Sequence, residues 1–258
     1  MTNSQIATFS SARAMPPYWA VHFEVAHPPA PGAFMLADLG GPLREPLFPA
    51  LIEEAGFTTM APPGHPATRL LPGAEVDMLG PLGRGFHIDE LTSRLLLIAE
   101  AAYLPALLPL LDATSSVAVV IEAATRAQIP ASHRFPPAVE LYLVTRDGST
   151  GYLGPLESDD PAPADLQRAA PKLRELLTWA GCICLALEPS RYPTLAGMLR
   201  EARLQPRRGL AQALIRAPMP CGVGVCEVCR VATEQGEKHA CVDGPVFDLL
   251  DLTTGREV

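Results

Sequence analysis

Cys221-Gly222-Val223-Gly224-Val225-Cys226-Glu227-Val228-Cys229 is followed by Cys241, and the four cysteines read C-x4-C-x2-C-x11-C. Three thiols crowded into one glycine-bearing loop, with a fourth returning later, is the plant-type spacing of a [2Fe–2S] ligand set. Thiolate is the species that binds iron, and the ferric charge stabilises it. Gly222 and Gly224 lack Cβ atoms, so the loop can curl tightly and aim backbone N–H groups at sulfur. A structural zinc site is the open alternative, although zinc sites more often pair two short C-x2-4-C hairpins. Cys221, Cys226, Cys229 and Cys241 are thus the candidate metal ligands. Cys182 and Cys184 stand two apart in the apolar run Cys182-Ile183-Cys184-Leu185-Ala186-Leu187 and read as buried packing.

Upstream of the loop the pattern changes twice. From Tyr18 to about Asp89, short apolar segments alternate with turns. Trp19-Ala20-Val21-His22-Phe23-Glu24-Val25 alternates as a strand, and Pro31-Gly32 and Pro72-Gly73 each precede another short strand. Turn signals at that density predict a small antiparallel β-barrel. From Arg94 to about Leu204, continuous apolar strands at 95–98, 117–121, 139–144 and 182–187 alternate with helices at 104–111, 165–180 and 192–202. That grammar predicts a parallel-sheet α/β domain of the nucleotide-binding kind. The expected division is a barrel at 17–92, the α/β domain at 93–206 and a small cluster-binding domain at 207–258. Residues 1–16 show no period and read as a loose leader.

The bulk numbers set limits. At 258 residues the chain is long enough for more than one core, and 48% hydrophobic with 19% charged residues describes a folded protein. A net charge of −8 disfavours nucleic acid and anionic membrane surfaces as partners. The most apolar run, Leu95 to Leu111, carries Glu100, Pro105 and Pro109 and is too interrupted to cross a bilayer. No signal-peptide pattern opens the chain, so a cytoplasmic, reducing setting is expected, in which cysteines serve as ligands or packing. Twenty-eight prolines break the sequence into short elements. His22, His27, His65, His87, His133 and His239 show no metal-ligand spacing; His239, two residues before Cys241, reads as a loop histidine that could also tune a cluster.

Four stretches together resemble the electron-transfer subunit of class B dihydroorotate dehydrogenase, a branch of the ferredoxin–NADP reductase superfamily. Met219-Pro220-Cys221-Gly222-Val223-Gly224-Val225-Cys226-Glu227-Val228-Cys229 is similar to that family's M-x-C-G-x-G-x-C-x-x-C. Cys241-Val242-Asp243-Gly244-Pro245-Val246-Phe247 resembles its C-x-D-G-P-V-F. Pro72-Gly73, with Gly80-Pro81-Leu82-Gly83-Arg84-Gly85-Phe86, resembles its P-G-D and G-P-L-G-x-G-F. Thr145-Arg146-Asp147-Gly148-Ser149-Thr150-Gly151 resembles its T-x-D-G-S-x-G.

The resemblance implies a subunit rather than a stand-alone catalyst. FAD would lie on the barrel, NAD(H) on the α/β domain and the cluster at the C-terminus, with electrons passing to or from an FMN-containing catalytic partner that oxidises dihydroorotate in pyrimidine biosynthesis. It assigns Arg44, Pro46, Gly64 and Thr68 to FAD. The nucleotide motifs depart from the family. Arg44-Glu45-Pro46-Leu47-Phe48-Pro49 stands where R-P-x-S is expected, and Glu45 has the wrong sign for a pyrophosphate. Gly64-His65-Pro66-Ala67-Thr68 stands for G-x-G-T. Ala99-Glu100-Ala101-Ala102-Tyr103-Leu104-Pro105 replaces the glycine-rich G-G-G-x-G-x-x-P, and Ala186-Leu187-Glu188-Pro189 replaces a late C-G-P. Those losses put NAD(H) binding in question. They also keep a second expectation alive, a cluster-bearing relay or docking module without flavin and nicotinamide chemistry.

Overall fold

A computed structural model of the protein describes residues 4–150 and 170–252. Gly151, the Pro161–Pro163 stretch and the first residues of the helix expected from 165 lie outside the described residues. Two compact units emerge, one from residues up to 87 together with 214–247 and 251–252, the other from residues 88–213 with 248–250.

The first unit is built on an antiparallel sheet. Its strands are β1 (Ser4–Met15), β2 (Tyr18–Glu24), β3 (Phe34–Ala37), β4 (Glu45–Leu47), β5 (Leu51–Glu53), β6 (Gly56–Ala61) and β7 (Glu75–Leu82). Their order is β4-β3-β7-β1-β2-β6-β5. One face buries Ala7, Phe9, Val21, Phe23, Phe57, Val76 and Met78. Phe23 anchors this core, with Phe9 edge-on at 5.9 Å and Phe57 tilted at 5.8 Å. Such ring pairs add to burial through quadrupole complementarity.

Two expectations change here. Residues 4–15 are not a loose leader but the central and longest strand of the sheet, paired to β2 from Thr8↔Glu24 to Met15↔Tyr18 and to β7. Its period is hidden because only Ala7 and Phe9 are buried, and a register shift between Phe9 and Ser11 interrupts the alternation. The barrel is also not closed: β4 and β5 end the sheet without pairing to each other. Each has only three residues, and Pro46 in β4 has no N–H to extend the ladder, as suits an edge.

The second unit is the α/β sheet that the apolar runs predict. Its strands are β8 (Arg94–Glu100), β9 (Ser116–Ala123), β10 (Glu140–Thr145), β11 (Cys182–Ala186) and β12 (Ala211–Leu214), with helices α1 (Ala170–Trp179) and α2 (Tyr192–Ala202). The order through these strands is β10-β9-β8-β11-β12, all parallel. Leu95 to Ile98 and Cys182 to Ala186 are buried throughout, as a doubly covered sheet requires. Cys184 is fully buried, and Cys182 Sγ accepts from Gln212 Nε2 at 3.5 Å, so this pair is packing. The apolar run after β8 is a 3-10 stretch, Leu104–Leu110, in which Pro109 removes a donor that an α-helix needs.

The returning C-terminal segment adds β13 (Arg230–Thr233) and β14 (Gly236–His239), an antiparallel hairpin in the first unit. Among the described residues no helix is long and apolar enough to cross a membrane.

Candidate metal centre and nucleotide crevice

The cysteine loop lies on the first unit's sheet. Gly222 has φ +66°, and a Cβ there would stand 2.7 Å from Leu36 Cδ1 in β3 and 2.8 Å from Leu82 Cδ1 in β7. Only glycine permits both the left-handed turn and that approach. Gly224 and Glu227 are also left-handed, at +76° and +58°, so the chain reverses repeatedly within nine residues. The β13–β14 hairpin then closes the gap of eleven residues between Cys229 and Cys241. Arg230 pairs with His239, Ala240 N–H donates to the Cys229 carbonyl at 2.9 Å, and Cys229 Sγ comes to 3.4 Å from Cys241 Sγ. Two distant motifs meet behind this corner: Arg84 N–H donates to Gly244 O, and Val246 N–H donates to Arg84 O at 3.3 Å.

The four thiols form two pairs of unlike character. Cys229 and Cys241 are buried, whereas Cys221 is partly exposed and Cys226 is exposed. Desolvation would raise the Cys221 thiol, but N–H groups of Val223, Cys226 and Val225 and the Cys226 side chain outweigh it, bringing the pKa down to about 6. Cys241 is pushed up to about 12, first by burial and then by Cys229. Among the described residues no three His, Cys, Asp or Glu side chains converge on one ion. A two-plus-two set of thiols, glycine turns and inward N–H groups fits a binuclear iron–sulfur group, in which each iron takes two cysteines. The His239 ring lies beside Gly224, and its Nε2 is buried without a hydrogen-bond partner.

The residues assigned to flavin phosphate are differently placed. Arg44 Nη2 bonds Asp77 Oδ2 at 2.5 Å, and Nη1 bonds the Asp77 carbonyl at 3.0 Å. Pro46 sits in edge strand β4, opposite Leu36. Gly64 has φ +86° with open space where a Cβ would lie, and Thr68 Oγ1 donates to His65 O at 2.7 Å. Glu45, missed as a partner by sequence reasoning, reaches His65 Nε2 at 2.8 Å. Phe48, at the family's serine position, packs against Phe34 at 5.6 Å and under the Arg216 guanidinium at 5.5 Å. Arg44 therefore already faces a carboxylate, which a phosphate would have to displace, and burial holds the His65 imidazole below its ordinary pKa, towards its neutral form, despite Glu45.

In the second unit, the carboxyl ends of β8, β9 and β11 carry a charge network. Glu122 is fully buried in β9, and Arg191 grips it with two bonds, Nη1 at 3.1 Å and Nη2 at 3.0 Å. Arg191 also lies 3.5 Å from Glu100, and Arg146 Nε lies 3.6 Å from Glu122. Tyr103 OH donates to Glu188 Oε2 at 2.7 Å. Burial, and then Glu122, raise the Glu100 carboxyl above its ordinary value despite Arg191. Sequence reasoning marked Glu100 and the stretch holding Glu188, and missed Glu122 and Arg191. A lone glutamate inside the apolar run Ser116–Ala123 was the available signal.

Comparison with known proteins agrees with both units. Residues 217–253 match the family described as the iron–sulfur cluster binding domain of dihydroorotate dehydrogenase B. The chain is 28% identical over 239 residues to a probable dihydroorotate dehydrogenase B (NAD(+)) electron transfer subunit of Thermoplasma acidophilum, covering 91% of this chain and 85% of that one. It is 28% identical to the corresponding subunit of Shouchella clausii, with 88% of both chains covered. Among solved structures, an NADH-dependent reduced ferredoxin–NADP oxidoreductase superposes with a TM-score of 0.73 at 19% identity, covering 96% of this chain and 89% of the other. The ferredoxin reductase of carbazole 1,9a-dioxygenase superposes at 0.57 and 18% identity, covering 78% and 65%. At those identities the structures establish a ferredoxin-reductase-like fold.

Proposed function

We propose that this chain, which belongs to the family of dihydroorotate dehydrogenase B electron-transfer subunits, takes electrons through a [2Fe–2S] cluster from a catalytic partner that oxidises dihydroorotate, in the cytoplasm. The observation that carries this reading is the two-plus-two arrangement of Cys221, Cys226, Cys229 and Cys241. When bound, the cluster supplies a reversible one-electron couple. The protein's part is to present thiolates and to shape their surroundings. Cys221 is already held near its thiolate form by backbone N–H groups, whereas Cys241 must give up its proton on loading. Buried and exposed pairs leave one side of the site inside the protein and the other at its surface.

That surface favours a partner. Val223, Val225, Val228 and Val242 are 42%, 75%, 45% and 47% exposed around the exposed Cys226. An apolar rim around an exposed redox ligand suits a docking contact that excludes water. FAD belongs to the same reading, held at Arg44, Pro46, Gly64 and Thr68 once Asp77 yields Arg44. The ion pairs at those positions favour the second reading, a cluster relay without flavin. Flavin released by denaturation decides between the two: one equivalent of FAD supports the first, none the second. The docking test is Val225→Glu. It is expected to retain the cluster spectrum and to lose stopped-flow reduction of the cluster by the dihydroorotate-reduced catalytic subunit; unchanged transfer would contradict the docking rim.

A further inference from the structure

We propose that the second unit is closed to nicotinamide dinucleotides: the crevice that binds them in sheets of this topology is filled and strapped by its own side chains. In an open parallel sheet, ligands bind outside the carboxyl ends of the strands where the strand order reverses. Here β8 comes first, β9 and β10 build to one side, and β11 and β12 build to the other, so the reversal lies between β8 and β11.

Three observations at that point carry the inference. The backbone donors are engaged, since Ala101 N–H donates to Glu122 O at 2.7 Å and Tyr103 N–H donates to Glu100 O at 2.9 Å. A pyrophosphate needs free N–H groups at the turn after the first strand, and the start of a helix behind them. This turn leads instead into a proline-bearing 3-10 stretch. The charge is engaged as well, because Arg191 is committed to Glu122 and Glu100. Three glutamates, Glu100, Glu122 and Glu188, face two arginines, Arg146 and Arg191, leaving no surplus of positive charge for a diphosphate. Finally, the Tyr103–Glu188 bond joins the segment after β8 to the segment after β11, directly across the reversal.

This inference does not rest on the cluster. It sharpens the proposed function by removing the hydride acceptor, NAD(+), that the relatives' names imply. The test is isothermal titration of the full chain with NADH, alongside its thermal unfolding with and without NADH. The expected result is no saturable heat up to about 1 mM, the upper end of ordinary enzyme KM values, and an unmoved Tm. Saturable binding below that limit, with a rise in Tm, would overturn the proposal. The visible spectrum of the same sample separates the two claims. A colourless protein that ignores NADH contradicts the electron-transfer reading and leaves the closed crevice standing. A brown protein that binds NADH overturns the closed crevice alone.

Discussion

The cysteine loop and the strand-end crevice show opposite ways of filling a ligand site. In the loop, glycines with positive φ bring the backbone close to the sheet, and four cysteine side chains are left as donors. In the crevice, alanines and glutamates stand where glycines would leave room, and the polar groups bond to each other. A site that keeps its small residues keeps its ligand; one that replaces them with paired charges becomes structure. The same substitution logic marks the turn that the resemblance assigns to flavin, where Glu45 meets His65 and Asp77 meets Arg44.

The largest expected effect separates ligand from packing cysteines. Cys226→Ser should abolish the cluster absorbance, whereas Cys184→Ser should keep it. Loss of colour in folded Cys184→Ser protein would break the assignment. Next comes the crevice as structure. Arg191→Ala leaves Glu122 buried with only the longer Arg146 contact, and removing one member of a buried pair costs about 3–5 kcal/mol. A denaturant midpoint unchanged by that substitution would show the network to be dispensable.

Gly222→Ala tests the loop more gently. The left-handed φ and the approach to Leu36 and Leu82 should cost about 1–3 kcal/mol and lower cluster retention. Wild-type retention and stability would mean that the loop is not pinned to the sheet. The smallest effect concerns Glu100. Its folded carboxyl titrates above the ordinary value of 4.5, so ionisation costs stability. That cost is absent below the ordinary carboxylate range, grows as pH rises through it, and is complete above the raised value. Glu100→Gln should therefore raise Tm at pH 8, with the gain fading as the pH falls to 4. A loss of Tm at pH 8 would mean that the Arg191 contact outweighs desolvation.

What the sequence made legible follows the range of the interactions involved. The loop's ligand spacing is local, and the parallel strands announce themselves as unbroken apolar runs, so both could be read directly. Strand β1 could not, because serine, threonine and alanine occupy most of its positions and a register shift breaks the alternation. The open sheet edges depend on how few residues of β4 and β5 pair, which composition does not reveal. The crevice network joins Glu100, Glu122 and Arg191 across some ninety positions, and they meet only because parallel strands end on one edge. Motif erosion showed where glycines were missing; the structure shows what took their place.

The central claim is that the four C-terminal cysteines hold a binuclear iron–sulfur cluster. Iron, acid-labile sulfide and zinc measured on anaerobically purified protein, with the visible spectrum before and after dithionite, test it most directly. Two irons and two sulfides per chain are expected, with a brown colour that bleaches on one-electron reduction. One zinc per chain, no sulfide and a colourless protein would contradict it.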